Sequence, residues 1–189
     1  MERRLRIGVL ALQGAFREHA EVLRRLGAEV VEVRLPAELD GLDGLVIPGG
    51  ESTTMTRLAA SFGLDRALRQ FSGPVLGTCA GTIVLDRGHY GLADVEVDRN
   101  AYGRQVKSFE ADVHLRGDEV PLRGVFIRAP RIRELGSTVE VLGDLDGEPV
   151  LVQDGRFLLA TFHPELTDDT RVHERFLELV GEHSKEVVG

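Results

Sequence analysis

One cysteine in 189 residues excludes an internal disulfide and any cysteine-rich metal site. Nothing therefore requires an oxidising compartment, and the cytoplasm is the expected location. Long apolar runs are missing as well. The opening MERRLRIGVLALQGAF sets arginines before an apolar stretch, as a signal peptide does, but Gln13 and then Arg17, Glu18 and His19 break it. It is too short for a secretory core or a bilayer span and reads as a first buried strand, so no membrane partner is expected. Positive charge is not in excess either. A net charge of −8 and a pI near 5.3 argue against a nucleic-acid binder, whose footprint is basic. The best local exception, Arg128, Arg131 and Arg133 in IRAPRIR, reads as a solvated loop, with an anion or partner site as the minority alternative. No repeat, low-complexity tract or linker divides the chain, and residues 1–189 are expected to form one domain around one core.

What is present first is an alternation. Arg6 to Leu12 is a short apolar run, and Phe16, Ala20, Leu23 and Leu26 then recur at helical spacing until Gly27 stops them. EVVEVRL and GLVIPGG read as further strands, and STTMTRLAASFG as a helix capped by Ser52 or a neighbouring threonine. LDRALRQF is a helix and PVLGT a fourth strand. Repeated strand–helix units imply parallel strands, right-handed crossovers and a three-layer α/β fold, with function beyond the carboxyl ends of the strands. After Gly88 the runs become short and alternating (ADVEVDR, FEADVHL, GVFIRA, VEVLGDL, EPVLVQDG, RFLLATFHPE), as strands and hairpins do. DDTRVHERFLELVGEH closes the chain as an amphipathic helix.

The lone thiol sits in Gly77-Thr78-Cys79-Ala80-Gly81, the spacing of a sharp strand-to-helix turn that lifts its central side chain clear of the sheet. A helix beginning near Ala80 would set its amino end beside the sulfur, favouring thiolate. Such a nucleophile needs a base, and the base a partner to fix its tautomer. TFHPE offers both: in an extended segment His163 and Glu165 project to one side, with Pro164 stiffening the link. The other histidines, His19, His89, His114, His173 and His183, show no carboxylate in a comparable setting. PGGES is not a phosphate cradle, since G-x-x-x-x-G-K-[ST] is absent and no lysine is near. The alternative is an oxyanion hole, in which backbone N–H groups of Gly49 or Gly50 join that of Ala80; either glycine could equally be a turn residue. No metal constellation is visible, Asp168 and Asp169 reading as caps.

GTCAG, PGGES and a terminal HPE together resemble the class I glutamine amidotransferases. GVLALQGAFREH, PGGESTTM, DRNAYGRQVKSFEAD, GVFIRAP and FHPELTDD narrow the similarity to the glutaminase subunits of pyridoxal 5'-phosphate synthases, over nearly the whole chain. The resemblance implies a flavodoxin-like α/β three-layer sandwich with a mainly parallel central sheet. It also implies hydrolysis of L-glutamine to glutamate and ammonia by Cys79, His163 and Glu165. Substrate would be held by Gly50, Glu51, Ser52, Arg99, Ile127 and Arg128, with no cofactor, and the ammonia passed to a synthase subunit. An arginine and a glutamate are the groups an amino-acid carboxylate and ammonium require. The chain departs from the family in VLDRGHYGLADVEVDRN, which is shorter than usual from Asp86 to Leu92. A glutaminase of another pathway, a silent subunit of the same fold and a cysteine peptidase are the rival readings.

Overall fold

The computed structural model describes residues 3–101 and 108–188; the middle of DRNAYGRQVKSFEAD, residues 102–107, lies outside that range. The first half runs β1 (Arg6–Leu10), α1 (Phe16–Arg25), β2 (Glu29–Val33), β3 (Gly44–Ile47), α2 (Ser52–Ser61), α3 (Leu64–Gln70), β4 (Val75–Thr78) and α4 (Ala80–Leu85). The second runs β5 (Val95–Asp98), β6 (Ser108–Leu115), β7 (Leu122–Ile127), β8 (Arg131–Leu135), β9 (Glu140–Leu145), β10 (Glu148–Asp154), β11 (Phe157–Ala160) and α5 (Arg171–Val188). The main sheet has nine strands in the order β2-β1-β3-β4-β11-β10-β9-β6-β7. Its first five strands pair in parallel, and the remainder is an antiparallel extension.

Strand alternation sorts the core into two layers. Ile7, Val9, Val46 and Leu76 pack with Leu23 of α1 and Phe176 and Val180 of α5. Leu10, Leu45, Ile47 and Val75 face Met55 of α2, Leu64 of α3 and Leu85 of α4. Helices thus cover both faces of the parallel half, as the alternation predicts. Chain order reverses beside β1, which has β2 on one side and β3 on the other. The crevice beyond β1 and β3 is therefore the topological switch point, where ligands of such sheets bind. Among the described residues no helix is long and apolar enough to cross a membrane.

Three local expectations need correction. IRAPRIR is not simply a solvated loop: Arg131 and Arg133 belong to β8, which pairs with β5 in a separate two-stranded sheet. Ile132 between them is buried, and the arginines form ion pairs with Glu148 and Asp98. This is the alternation of a half-buried strand, masked by the charge of its outer face. The cap of α2 is neither Ser52 nor a threonine but Glu51, whose carboxylate accepts the Thr53 and Thr54 N–H groups at 2.9 and 2.7 Å. His163 and Glu165 do not lie on an extended segment either, because Pro164–Leu166 turns as a 3-10 helix. The short connection after α4 closes on itself: Asp86 accepts the Gly88 and His89 N–H groups, and Leu92 and Ala93 return to the Leu85 carbonyl.

Candidate active site

Four neighbouring strands, β1, β3, β4 and β11, end on the same side, and each hands the next segment into one cleft. After β4 comes Cys79, at φ 48° and ψ −106°, a conformation few non-glycine residues adopt. Its N–H donates to the Ala160 carbonyl at 2.8 Å, while its carbonyl accepts the Thr82 N–H at 3.1 Å and starts α4. The strain thus falls on the cysteine itself. The flanking glycines serve close approach rather than the turn dihedral, and neither has a positive φ. A Cβ on Gly81 would collide with the Ile47 carbonyl, and one on Gly77 would stand 2.8 Å from Leu85 Cδ1. The elbow is pressed onto β3 on one side and its own helix on the other.

After β11 come His163 and Glu165. The His163 N–H donates to the Val125 carbonyl of β7 at 2.8 Å, and its ring Nδ1 lies 2.6 Å from Glu165 Oε1. Cys79 lies close enough to the ring to raise its proton affinity. Burial opposes the imidazolium, yet the bonds to Cys79 and Glu165 outweigh it and push His163 up to about 10. Glu165 is buried, which disfavours its charge, but His19 and His163 hold its carboxyl below the ordinary range. Cys79, His163 and Glu165 thus stand in sequence, an arrangement able to support covalent acyl transfer.

After β3 comes PGGES. Gly49 packs directly on the pair: a Cβ there would strike the His163 ring and lie 3.2 Å from Cys79 Cβ. Gly50 has φ 148°. The Gly49 carbonyl accepts the Ala15 N–H at 3.3 Å, so the Gly50 N–H of that trans peptide points the opposite way. Ala80 is buried directly after the thiol, and Ser52 is buried at the start of α2. Glu51 is turned back onto its own helix by Thr53 and Thr54, chiefly the Thr54 hydroxyl, which lower its carboxyl to about 2. Arg99 reaches the same spot, 3.2 Å from Thr53 Oγ1 and 3.5 Å from Glu51 Oε1. Ile127, at the end of β7, places its carbonyl oxygen 3.7 Å from Cys79 Sγ. Arg128 follows, exposed and at φ 44°, a second strained residue at the cleft. The residues expected from sequence thus follow the ends of β3, β4, β5, β7 and β11.

Sequence reasoning missed two neighbours of the site, Gln13 and His19, and the carboxylate partner of His89. Gln13, at the end of β1, holds the main chain of Glu51 from both sides: its amide donates to the Glu51 carbonyl and accepts the Glu51 N–H, each at 3.2 Å. His89 has a carboxylate after all, Asp86 at 2.8 Å, in a contact visible as an i,i+3 pair. His19 also has one: its Nε2 lies 3.3 Å from Glu165 Oε2 in a fully buried pair. The available signal was its position three residues after Phe16 and four before Leu23, on the apolar stripe of α1.

The profile of the SNO glutamine amidotransferase family matches residues 9–182. The pyridoxal 5'-phosphate synthase subunit PdxT of Thermotoga maritima is 50% identical over 187 residues, covering 93% of this chain and 100% of the relative. That of Deinococcus radiodurans is 51% identical over 193 residues, covering 94% and 98%. A solved glutamine amidotransferase superposes with a TM-score of 0.85 at 49% identity, covering 93% of this chain and 98% of that one. A solved GMP synthase subunit from Thermoplasma acidophilum has the same fold, with a TM-score of 0.79 at 19% identity over 100% of each chain. With a match over most of its length and relatives half identical to it, the chain belongs to the SNO glutamine amidotransferase family.

Proposed function

We propose that this chain is the glutaminase subunit of a pyridoxal 5'-phosphate synthase, acting in the cytoplasm and passing ammonia to a separate synthase subunit. The observation that carries the chemistry is the contiguous line from Cys79 through His163 to Glu165, at the joined ends of β4 and β11. The relatives named as synthase subunits support the pathway.

In this reading the proton of Cys79 rests on His163, and the thiolate attacks the side-chain amide carbon of glutamine. The N–H groups at Gly49 or Gly50 and at Ala80 hold the oxygen as it becomes negative. The His163 imidazolium then gives its proton to the departing nitrogen, which leaves as ammonia, and a thioester remains. Water loses a proton to the now neutral His163 and attacks the thioester. Glutamate departs as sulfur takes the proton back. Arg99 and Arg128 are the cations available to the substrate carboxylate. Because Glu51 already faces Arg99, substrate binding must loosen that contact, while Gly50, Ser52 and Ile127 complete the walls.

The test is ammonia release from saturating glutamine with the synthase subunit present. Cys79→Ala should lower it on the order of a million-fold, leaving circular dichroism and subunit binding unchanged. Appreciable turnover by that variant would remove Cys79 from the mechanism.

A further inference from the structure

Behind the proposed triad lies a second line of polar groups that its chemistry does not use. His19 of α1, His173 of α5, Thr78 of β4 and Glu165 are all buried. His19 Nδ1 is 2.9 Å from His173 Nε2, and His19 Nε2 is 3.0 Å from Thr78 Oγ1. The same Nε2 faces Glu165 Oε2 at 3.3 Å, close though not aligned as a full hydrogen bond, and that oxygen has no other partner among the described residues. Four elements therefore converge on one imidazole.

The protons can be placed by elimination. If His19 donated from Nδ1, its Nε2 lone pair would face an ionised carboxylate, and His173 would carry its N–H on Nδ1, a buried atom with no partner. The reverse arrangement has neither fault. His173 Nε2–H donates to His19 Nδ1, and His19 Nε2–H is shared between Thr78 and Glu165. His173 Nδ1 is then an unpaired acceptor, less costly than an orphaned donor. Burial lowers the proton affinity of both rings, consistent with neutral imidazoles.

We infer that His19 is a positioning residue for glutamine hydrolysis, anchoring both the outer oxygen of Glu165 and the residue preceding Cys79. Glu165 uses Oε1 to hold His163, so an anchor on Oε2 stops the carboxylate from rotating as His163 gains and loses its proton. Thr78 adjoins the strained Cys79, so the same ring steadies the nucleophile's backbone. The inference rests on the proposed Cys79–His163–Glu165 reading. The other charged groups bearing on this cluster are His163, Glu18 and Arg25.

Two isosteres separate the roles. Asparagine reproduces the Nδ1 side of the ring, whereas glutamine reaches the Nε2 side. With the synthase subunit present, His19→Asn should lower kcat about tenfold to a hundredfold, the scale of a lost hydrogen bond to a charged group, with KM held within about twofold. Its acid limb should move to higher pH, because Glu165 without its N–H donor takes up a proton more readily. His19→Gln should recover most of the rate and the original limb. Wild-type kcat and limb in His19→Asn would overturn the assignment, as would equal losses in both variants with no movement of the limb. If His19→Asn fails to fold, His173→Phe decides, since His173 reaches Glu165 only through His19. It should give a smaller fall and a limb shift of the same sign, and an unchanged profile would overturn the assignment. Cys79→Ala in the same assay distinguishes the failures: activity there sinks the triad reading, whereas inactivity there beside an unaffected His19→Asn sinks the anchor alone.

Discussion

Cys79 carries its function in its backbone as much as in its sulfur. A non-glycine residue at φ 48° persists only where the surroundings over-determine it, and the bonds to Ala160, Thr82 and Ile127 do so. His163 shows how charge is apportioned at the same scale. Raised to about 10, it keeps a proton at neutral pH that the proposed mechanism hands to the departing amide nitrogen. In the proposed mechanism Glu165 acts through that ring, so it should matter less. Glu165→Gln is expected to cost up to about ten-thousand-fold in kcat, by allowing the wrong tautomer, and His163→Ala to approach the loss of the nucleophile itself. Single-turnover rates of ammonia release compare the two. Equal losses would mean that Glu165 has a task beyond orienting His163.

At the scale of elements, α2 owes its start to Glu51, which accepts the first free N–H groups and faces the positive end of the helix. Its carboxyl lies near 2 in the folded chain against an ordinary 4.5, so the cap contributes stability that is complete above pH 4.5 and lost as pH falls through about 2. Glu51→Gln should therefore lower the melting temperature above that window and converge with wild type below it. Asp98, Asp169, Glu38 and Glu165 are lowered too, so the difference between the two melting curves is the quantity to follow. A constant offset from neutral to strongly acid pH would show that the carboxylate does not cap the helix. The hairpin between β9 and β10 is the simpler case. Asp146 and Gly147 both have positive φ, 53° and 84°, the pattern of a two-residue turn that an Asp-Gly pair announces.

For the whole molecule the question is control, since ammonia released into water is protonated and lost to any acceptor site. Among the described residues the Gly49–Gly50 peptide is held by one bond, from the Ala15 N–H to the Gly49 carbonyl at 3.3 Å. Breaking such a bond costs about 1 kcal/mol, within the usual range of coupling energies between subunits. A partner that reorients this peptide would add or remove one oxyanion donor, worth roughly a hundred- to a thousand-fold in rate. Ammonia release at saturating glutamine should accordingly be weak for the isolated chain and rise on adding the synthase subunit. Full activity alone, unchanged by the partner, would leave no role for the peptide.

Local chemistry wrote much of this into the sequence. Apolar period and glycine stops located β1 to β4 and α1 to α4, because the interior of a parallel sheet admits little else. GTCAG and HPE pointed to Cys79, His163 and Glu165 as candidates because both are local patterns, although the HPE segment turns as a 3-10 helix instead of running extended. Where local and distant demands differed, the sequence was silent or misleading. The arginines of β8 look solvated until Asp98 and Glu148 stand opposite them. Glu51 reads from sequence as part of a substrate-holding turn, and only the fold shows that it also caps its own helix through Thr53 and Thr54. His19 is 146 residues from Glu165, and only strand order places the two together. A residue's type and its near neighbours decide which element it joins, whereas the partner of a buried polar group is decided by packing, which has no period along the chain.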